Sequence, residues 1–155
     1  MRRKLSIRAV VFWLFIIYTI VMMIMLFGRD RSILNLPYPE QLQYNINIVP
    51  FRTIKQYFGL LEQHYLVSNA VINLIGNIAV FIPVGLFLPY LWQRLNSFFR
   101  FILTCTLIIL IIEAVQLFTL LGRFDVDDLI LNILGMSLGF LIYKIICRIN
   151  RKHKS

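Results

Sequence analysis

Residues 101–146 read FILTCTLIILIIEAVQLFTLLGRFDVDDLILNILGMSLGFLIYKII, and this stretch decides the fold. Two apolar runs, Phe101–Leu121 and Leu129–Ile146, flank a short polar break, Gly122–Asp128. A bilayer core about 30 Å thick is crossed by about 20 mostly apolar helical residues, so each run is close to the length of one crossing. Neither run alternates apolar and polar residues with the period of two that a barrel strand requires. A break this short predicts a helical hairpin that crosses a membrane and returns.

Working outward, two more segments of the same kind appear, at Ala9–Phe27 and Ala70–Leu91. The whole chain has 155 residues, 59% of them hydrophobic, with a mean hydropathy of +0.78, well outside the range of a soluble domain. The expectation is an all-α integral membrane protein, one domain over residues 1–155, built as a four-transmembrane-helix bundle with a long structured outer loop between the first and second spans. The turn at Trp92–Arg100 is also short, so the second, third and fourth spans are predicted to pack as antiparallel neighbours. Met1-Arg2-Arg3-Lys4 resembles the start of a signal peptide, but the following apolar run exceeds the ~7–15 residues of such a segment. No small-residue cleavage pattern follows Phe27, so the first span reads as an uncleaved anchor.

The net charge of +9 is distributed unevenly. Placing the N-terminus inside puts Arg2, Arg3, Lys4, Arg8, Arg94, Arg100, Lys144, Arg148, Arg151, Lys152 and Lys154 on the cytoplasmic side, with no acid among them. The other side holds Arg29, Arg31, Arg52, Lys55 and Arg123 against Asp30, Glu40, Glu62, Asp125, Asp127 and Asp128. This is the positive-inside asymmetry, and it predicts both termini in the cytoplasm. It also explains the basic tail as a topology signal near anionic lipid, and nucleic acid is not an expected partner because no recognition motif accompanies the charge. Cys105 and Cys147 fall in the reducing, cytoplasmic half without ligand spacing and read as packing residues.

The outer segment Gly28–Asn69 carries Ile54, Tyr57, Phe58 and Leu61 at helical spacing, which predicts a short amphipathic helix on the membrane surface or against the bundle. Pro37, Pro39 and Pro50 punctuate it. His64 and His153 are isolated.

Polar side chains inside the spans are costly and tend to face a bundle interior or a wet cavity. Asn73 and Asn77 are four apart in the second span, Glu113 and Gln116 three apart in the third, and Asp128 and Asn132 four apart at the start of the fourth. Glu113 lies about 18 Å from the inner end of its span, just past mid-membrane. The amides and aspartates lie nearer the outer boundary. Together they form a predicted outer-leaflet pocket, with Arg52 and Arg123 as countercharges. The amides also read as hydrogen-bond glue between helices. Asp125 and Asp128 fit an N-cap and an acid in the first helical turn. Gly135 and Gly139 form a small-xxx-small pair suited to close helix approach, and Pro83 with Gly85 suggests a local bend in the second span with the same packing purpose.

These residues carry a family resemblance. Asn47-Ile48-Val49-Pro50-Phe51-Arg52-Thr53, Asn73 through Asn77 to Phe81-Ile82-Pro83-Val84-Gly85, Glu113-Ala114-Val115-Gln116, and Gly122-Arg123-Phe124-Asp125-Val126-Asp127-Asp128 followed by Asn132, Gly135 and Gly139 occur in the order found in VanZ-like membrane proteins. The chain resembles that family over most of its length beyond the first span. The resemblance implies a multi-pass protein of the cell membrane of a Gram-positive type of bacterium, linked to reduced susceptibility to teicoplanin-type glycopeptides, with no assigned mechanism.

Three functions are open at the level of sequence. In the first, the pocket binds a lipid headgroup, a lipid-linked cell-wall precursor or a lipoglycopeptide. In the second, Glu113 is the general base of a membrane enzyme and Asp125, Asp127 and Asp128 hold Mg²⁺, Mn²⁺ or Ca²⁺ against a lipid phosphate. In the third, Glu113 is the proton site of a small translocator working as a homo-oligomer. No cofactor other than such a divalent cation is expected.

Overall fold

The computed structural model describes residues 6–27, 36–62 and 67–152, with side chains throughout except at 60–62 and 67–73. Several residues used in the sequence reading lie outside these: Arg2, Arg3, Lys4, Arg29, Asp30, Arg31, His64, His153 and Lys154, together with the side chains of Leu61, Glu62 and Asn73.

Among the described residues, four helices are long and apolar enough to cross a membrane: α1 (Ile7–Phe27), α4 (Val67–Leu91, through its Leu74–Leu91 part), α5 (Phe98–Phe118) and α6 (Val126–Lys152). Between α1 and α4 lie two short helices, α2 (Tyr38–Tyr44) and α3 (Arg52–Glu62), and a two-residue strand, β1 (Ile46–Asn47). Its parallel partner, β2 (Phe124–Asp125), immediately precedes α6, with Ile46 opposite Phe124 and Asn47 opposite Asp125. The short helix expected from Ile54, Tyr57 and Phe58 is α3, and it packs against α4 and α6.

Local chemistry sets the helix ends, and it moves them from the apolar boundaries. The α5 helix stops at Phe118, three residues before Leu121, because Leu120 turns left-handed (φ 56°) and the Gly122 N–H reaches back to the Gln116 carbonyl at 3.0 Å. The α6 helix starts at Val126, three residues before Leu129, because the Asp125 carboxylate accepts the Asp127 N–H at 2.9 Å and caps the first turn. It then runs on to Lys152, past the end of its apolar stretch. The α4 helix continues through Pro83 and Pro89, whose missing N–H groups are tolerated in a membrane helix supported by neighbours.

The packing departs from the expected sequence of antiparallel neighbours. The α4 and α6 helices, which are not consecutive, meet backbone to backbone. Glycines cause it. A Cβ placed on Gly85 would stand 2.1 Å from the Met136 carbonyl, one on Gly135 2.1 Å from that of Ile78, and one on Gly139 2.0 Å from that of Ile82. The two backbones therefore touch where side chains would normally hold helices 8–10 Å apart. The α5 helix packs on α6. It shares with α4 and α6 an apolar core of Phe81, Val84, Leu88, Phe101, Cys105, Ile109, Met136 and Phe140, in which Phe101 stacks on Phe140 at 4.7 Å. The α1 helix lies against α4 through Phe15, Tyr18 and Phe87, and the Tyr18 hydroxyl donates to the Val80 carbonyl.

One end of the bundle is basic. There the Arg8 guanidinium donates to the Leu91 carbonyl at 2.7 Å, and Lys144 donates to the backbone and side-chain oxygens of Asn96 at 2.6 and 2.7 Å. The other end holds α3, the strand pair and the aspartates.

Candidate functional site

The aspartate end is assembled around two carboxylates. Asp125 accepts from Asn47 Nδ2 at 3.1 Å and from Thr53 Oγ1 at 2.6 Å, besides capping α6. Asp127 has no exposed surface, and its carboxylate accepts backbone N–H groups from Phe51, from Thr53 at 2.7 Å and from Ile54 at 3.1 Å. Thr53 and Ile54 lie in the first turn of α3, and Phe51 directly precedes it. A helix start normally borrows a Ser, Thr, Asp or Asn at its own N-cap, and α3 has Phe51 there. Asp127 supplies the missing cap from a distant part of the chain. Asn47 Nδ2 also donates to Thr53 Oγ1 at 3.0 Å, which closes a triangle of Asn47, Thr53 and Asp125 beneath the loop.

This geometry reassigns two of the expected pocket residues. Asp125 and Asp127 take their hydrogen bonds from neutral donors within the scaffold, not from Arg52 or Arg123. Arg52 opens α3 with an exposed side chain, and the Arg123 guanidinium lies over the Tyr44 ring, 5.1 Å from its centroid. The three aspartates do not converge either, since Asp125 and Asp127 serve the strand–α3 junction and Asp128 accepts from Asn77 Nδ2 at 2.6 Å. Among the described residues, no group of three His, Cys, Asp or Glu side chains is placed to hold a metal ion.

Gln116 is also part of the scaffold. Its amide donates to the Leu26 carbonyl at 2.9 Å and so ties α5 to the end of α1, while Gly122 packs against its stem.

What remains is a polar layer on three helices. Asn77 precedes Phe81 by four residues, Glu113 follows Ile109 by four, and Asn132 precedes Met136 by four. Phe81, Ile109 and Met136 belong to one apolar core, so each polar residue sits about 6 Å above it, one helical turn toward the aspartate end. Glu113 is 6% exposed and Asn132 is 4% exposed, which places both inside the bundle. The Asn132 Oδ1 is buried with no hydrogen-bond partner among the described residues. Asp128 stands one turn further out on the same face of α6 as Asn132, joined to Asn77. The side chain of Asn73, the remaining expected member, lies outside the described residues.

Asn47, Thr53 and Phe51 were not among the expected functional residues, although Asn47–Thr53 stood out as a motif. The available signal was the start of α3 at Arg52 with no capping residue of its own. A distinct cleft of about 400 Å³ lies at the basic end, lined by Ser6, Arg8, Phe12, Trp13, Leu91 and Trp92.

Neither a comparison with curated proteins nor one with solved structures finds a match. The sequence pattern of the VanZ/LLP1 family, by contrast, matches residues 15–147, a span that takes in all four membrane helices in whole or part, the strand pair and every residue of the polar layer. A match over most of the chain establishes the membership: this four-span membrane protein belongs to the VanZ/LLP1 family.

Proposed function

We propose that the protein lowers susceptibility to teicoplanin-type glycopeptides by binding, in its polar layer, the polar head of a membrane lipid or lipid-linked cell-wall precursor. With the basic end in the cytoplasm, as the charge asymmetry favours, Asn77, Glu113, Asp128 and Asn132 belong to the outer leaflet. That is the leaflet in which a lipid-bearing drug and a wall precursor meet.

The observation that carries this reading is the buried Asn132 Oδ1 in a layer that also holds Glu113 and the Asn77–Asp128 pair. Buried polar atoms are almost always hydrogen-bonded, so an acceptor without a partner among the described residues suits a donor brought by a ligand, such as a sugar hydroxyl or an amide. Binding is favoured over metal-dependent hydrolysis because Asp125 and Asp127 are committed to the scaffold.

The test is complementation in a susceptible Gram-positive host. The full chain, Glu113→Gln and Asn132→Leu are compared for growth in teicoplanin, vancomycin and a lipoglycopeptide, with membrane levels measured alongside. The expected result is protection confined to the lipid-bearing drugs and lost in both variants at unchanged protein level. Protection that survives both substitutions would rule out the polar layer, and no protection by the full chain would rule out the resistance role.

A further inference from the structure

Directly before α3, four consecutive apolar residues, Ile48-Val49-Pro50-Phe51, form a loop outside the four spans. Ile48 is 67% exposed, Val49 53% and Phe51 52%. A run of this kind facing water is unusual, and contiguous exposed apolar surface commonly marks a contact surface.

The loop is also held rigidly in a costly shape. Phe51 has a left-handed backbone (φ 64°), which a bulky non-glycine residue rarely adopts. Its N–H is held by the fully buried Asp127 carboxylate. The Asn47 side chain accepts the Val49 N–H at 3.3 Å, and Thr53 closes the far side on Asp125. Strain persists where the surroundings over-determine it, and here they direct apolar side chains outward.

Depth identifies what the loop meets. Phe51 is bonded to Asp127, only two residues, or about 3 Å of rise, before the apolar stretch of α6 begins at Leu129. The loop therefore stands at the boundary where hydrocarbon gives way to headgroups. Arg52 and Lys55, both exposed, follow it at once in α3. Apolar side chains beside cations at this level match the acyl–headgroup boundary of a leaflet containing anionic phospholipid. We propose that Ile48, Val49 and Phe51 form a rigid wedge inserted into that leaflet beside the bundle, with Arg52 and Lys55 on the lipid phosphates. The wedge anchors α3 and the strand pair to the membrane, and this goes beyond any ligand the polar layer binds.

The experiment uses the full chain with its tryptophans replaced (Trp13→Phe, Trp92→Phe) and one new reporter, Phe51→Trp or, separately, Val49→Trp. Each is reconstituted in phosphatidylcholine–phosphatidylglycerol vesicles whose acyl chains carry bromine near the headgroup or near the chain end. Val49→Trp leaves the Phe51 backbone undisturbed, so a folding failure at 51 does not remove the test. The wedge predicts blue-shifted emission at the reporter, quenched most by the shallow bromines and little by aqueous acrylamide. Emission of a water-exposed tryptophan, open to acrylamide and indifferent to brominated lipid, would overturn it. So would shielding that appears only when a lipid-bearing glycopeptide is added, which would assign the loop to the drug.

Discussion

A carboxylate with no exposed surface must be satisfied by its surroundings, and at Asp127 the partners are the backbone donors that open α3. From the sequence, three aspartates in four residues suggest a charged pocket or a cation site, and only a cap for α6 can be derived from local spacing. That cap is present at Asp125. The cap that Asp127 gives to α3 joins residues 74 apart, and no local pattern encodes it. Removing it should be costly. Asp127→Ala leaves part-buried N–H groups without an acceptor, each worth up to about 1–3 kcal/mol. The expected result is a clearly lowered thermal transition for the full chain in mild detergent, with proteolysis beginning in α3. Unchanged stability would mean that α3 does not depend on this carboxylate.

Among the elements, the α4–α6 crossing was half legible. The spacing of Gly135 and Gly139 announces a close approach, and the structure shows one. The partner, Gly85 on α4, could not be read from α6, because contact between non-consecutive helices depends on how α5 is placed. Gly85, read with Pro83 as a local bend serving close packing, is the contact point on α4. Gly139→Ala should cost about 1–3 kcal/mol through overpacking, since the new methyl meets a backbone carbonyl that cannot swing aside. Gly76→Ala is the matched control, as among the described residues nothing lies within 4 Å of its added Cβ, and in a helix it should be neutral or stabilising by up to about 1 kcal/mol. Unfolding of both variants in detergent checks the pair. Equal effects would show that the crossing tolerates separation.

At the scale of the whole molecule, the four helices, their approximate limits and the even number of crossings follow from apolar length alone, because no other structure satisfies the backbone in hydrocarbon over such runs. The orientation rests on charge, and it predicts that cysteines introduced at Lys55 or Arg123 react with an impermeant thiol reagent in intact cells, while one at Arg94 reacts only after lysis. The reverse pattern would invert the protein in the membrane. The sequence by itself determined the class of fold, the number of spans and which polar residues lie within them, since each depends on composition and period along one helix. The tertiary structure decided what those polar residues do. It gave Asp125, Asp127 and Gln116 to the scaffold and left Asn77, Glu113, Asp128 and Asn132 in or beside the layer above the core. The physical reason is that a hydrogen bond is specified by two partners. In this chain most of the second partners lie tens of residues away, brought close by the α4–α6 contact and the strand pair beside it and, for Gln116, by the packing of α5 against the end of α1.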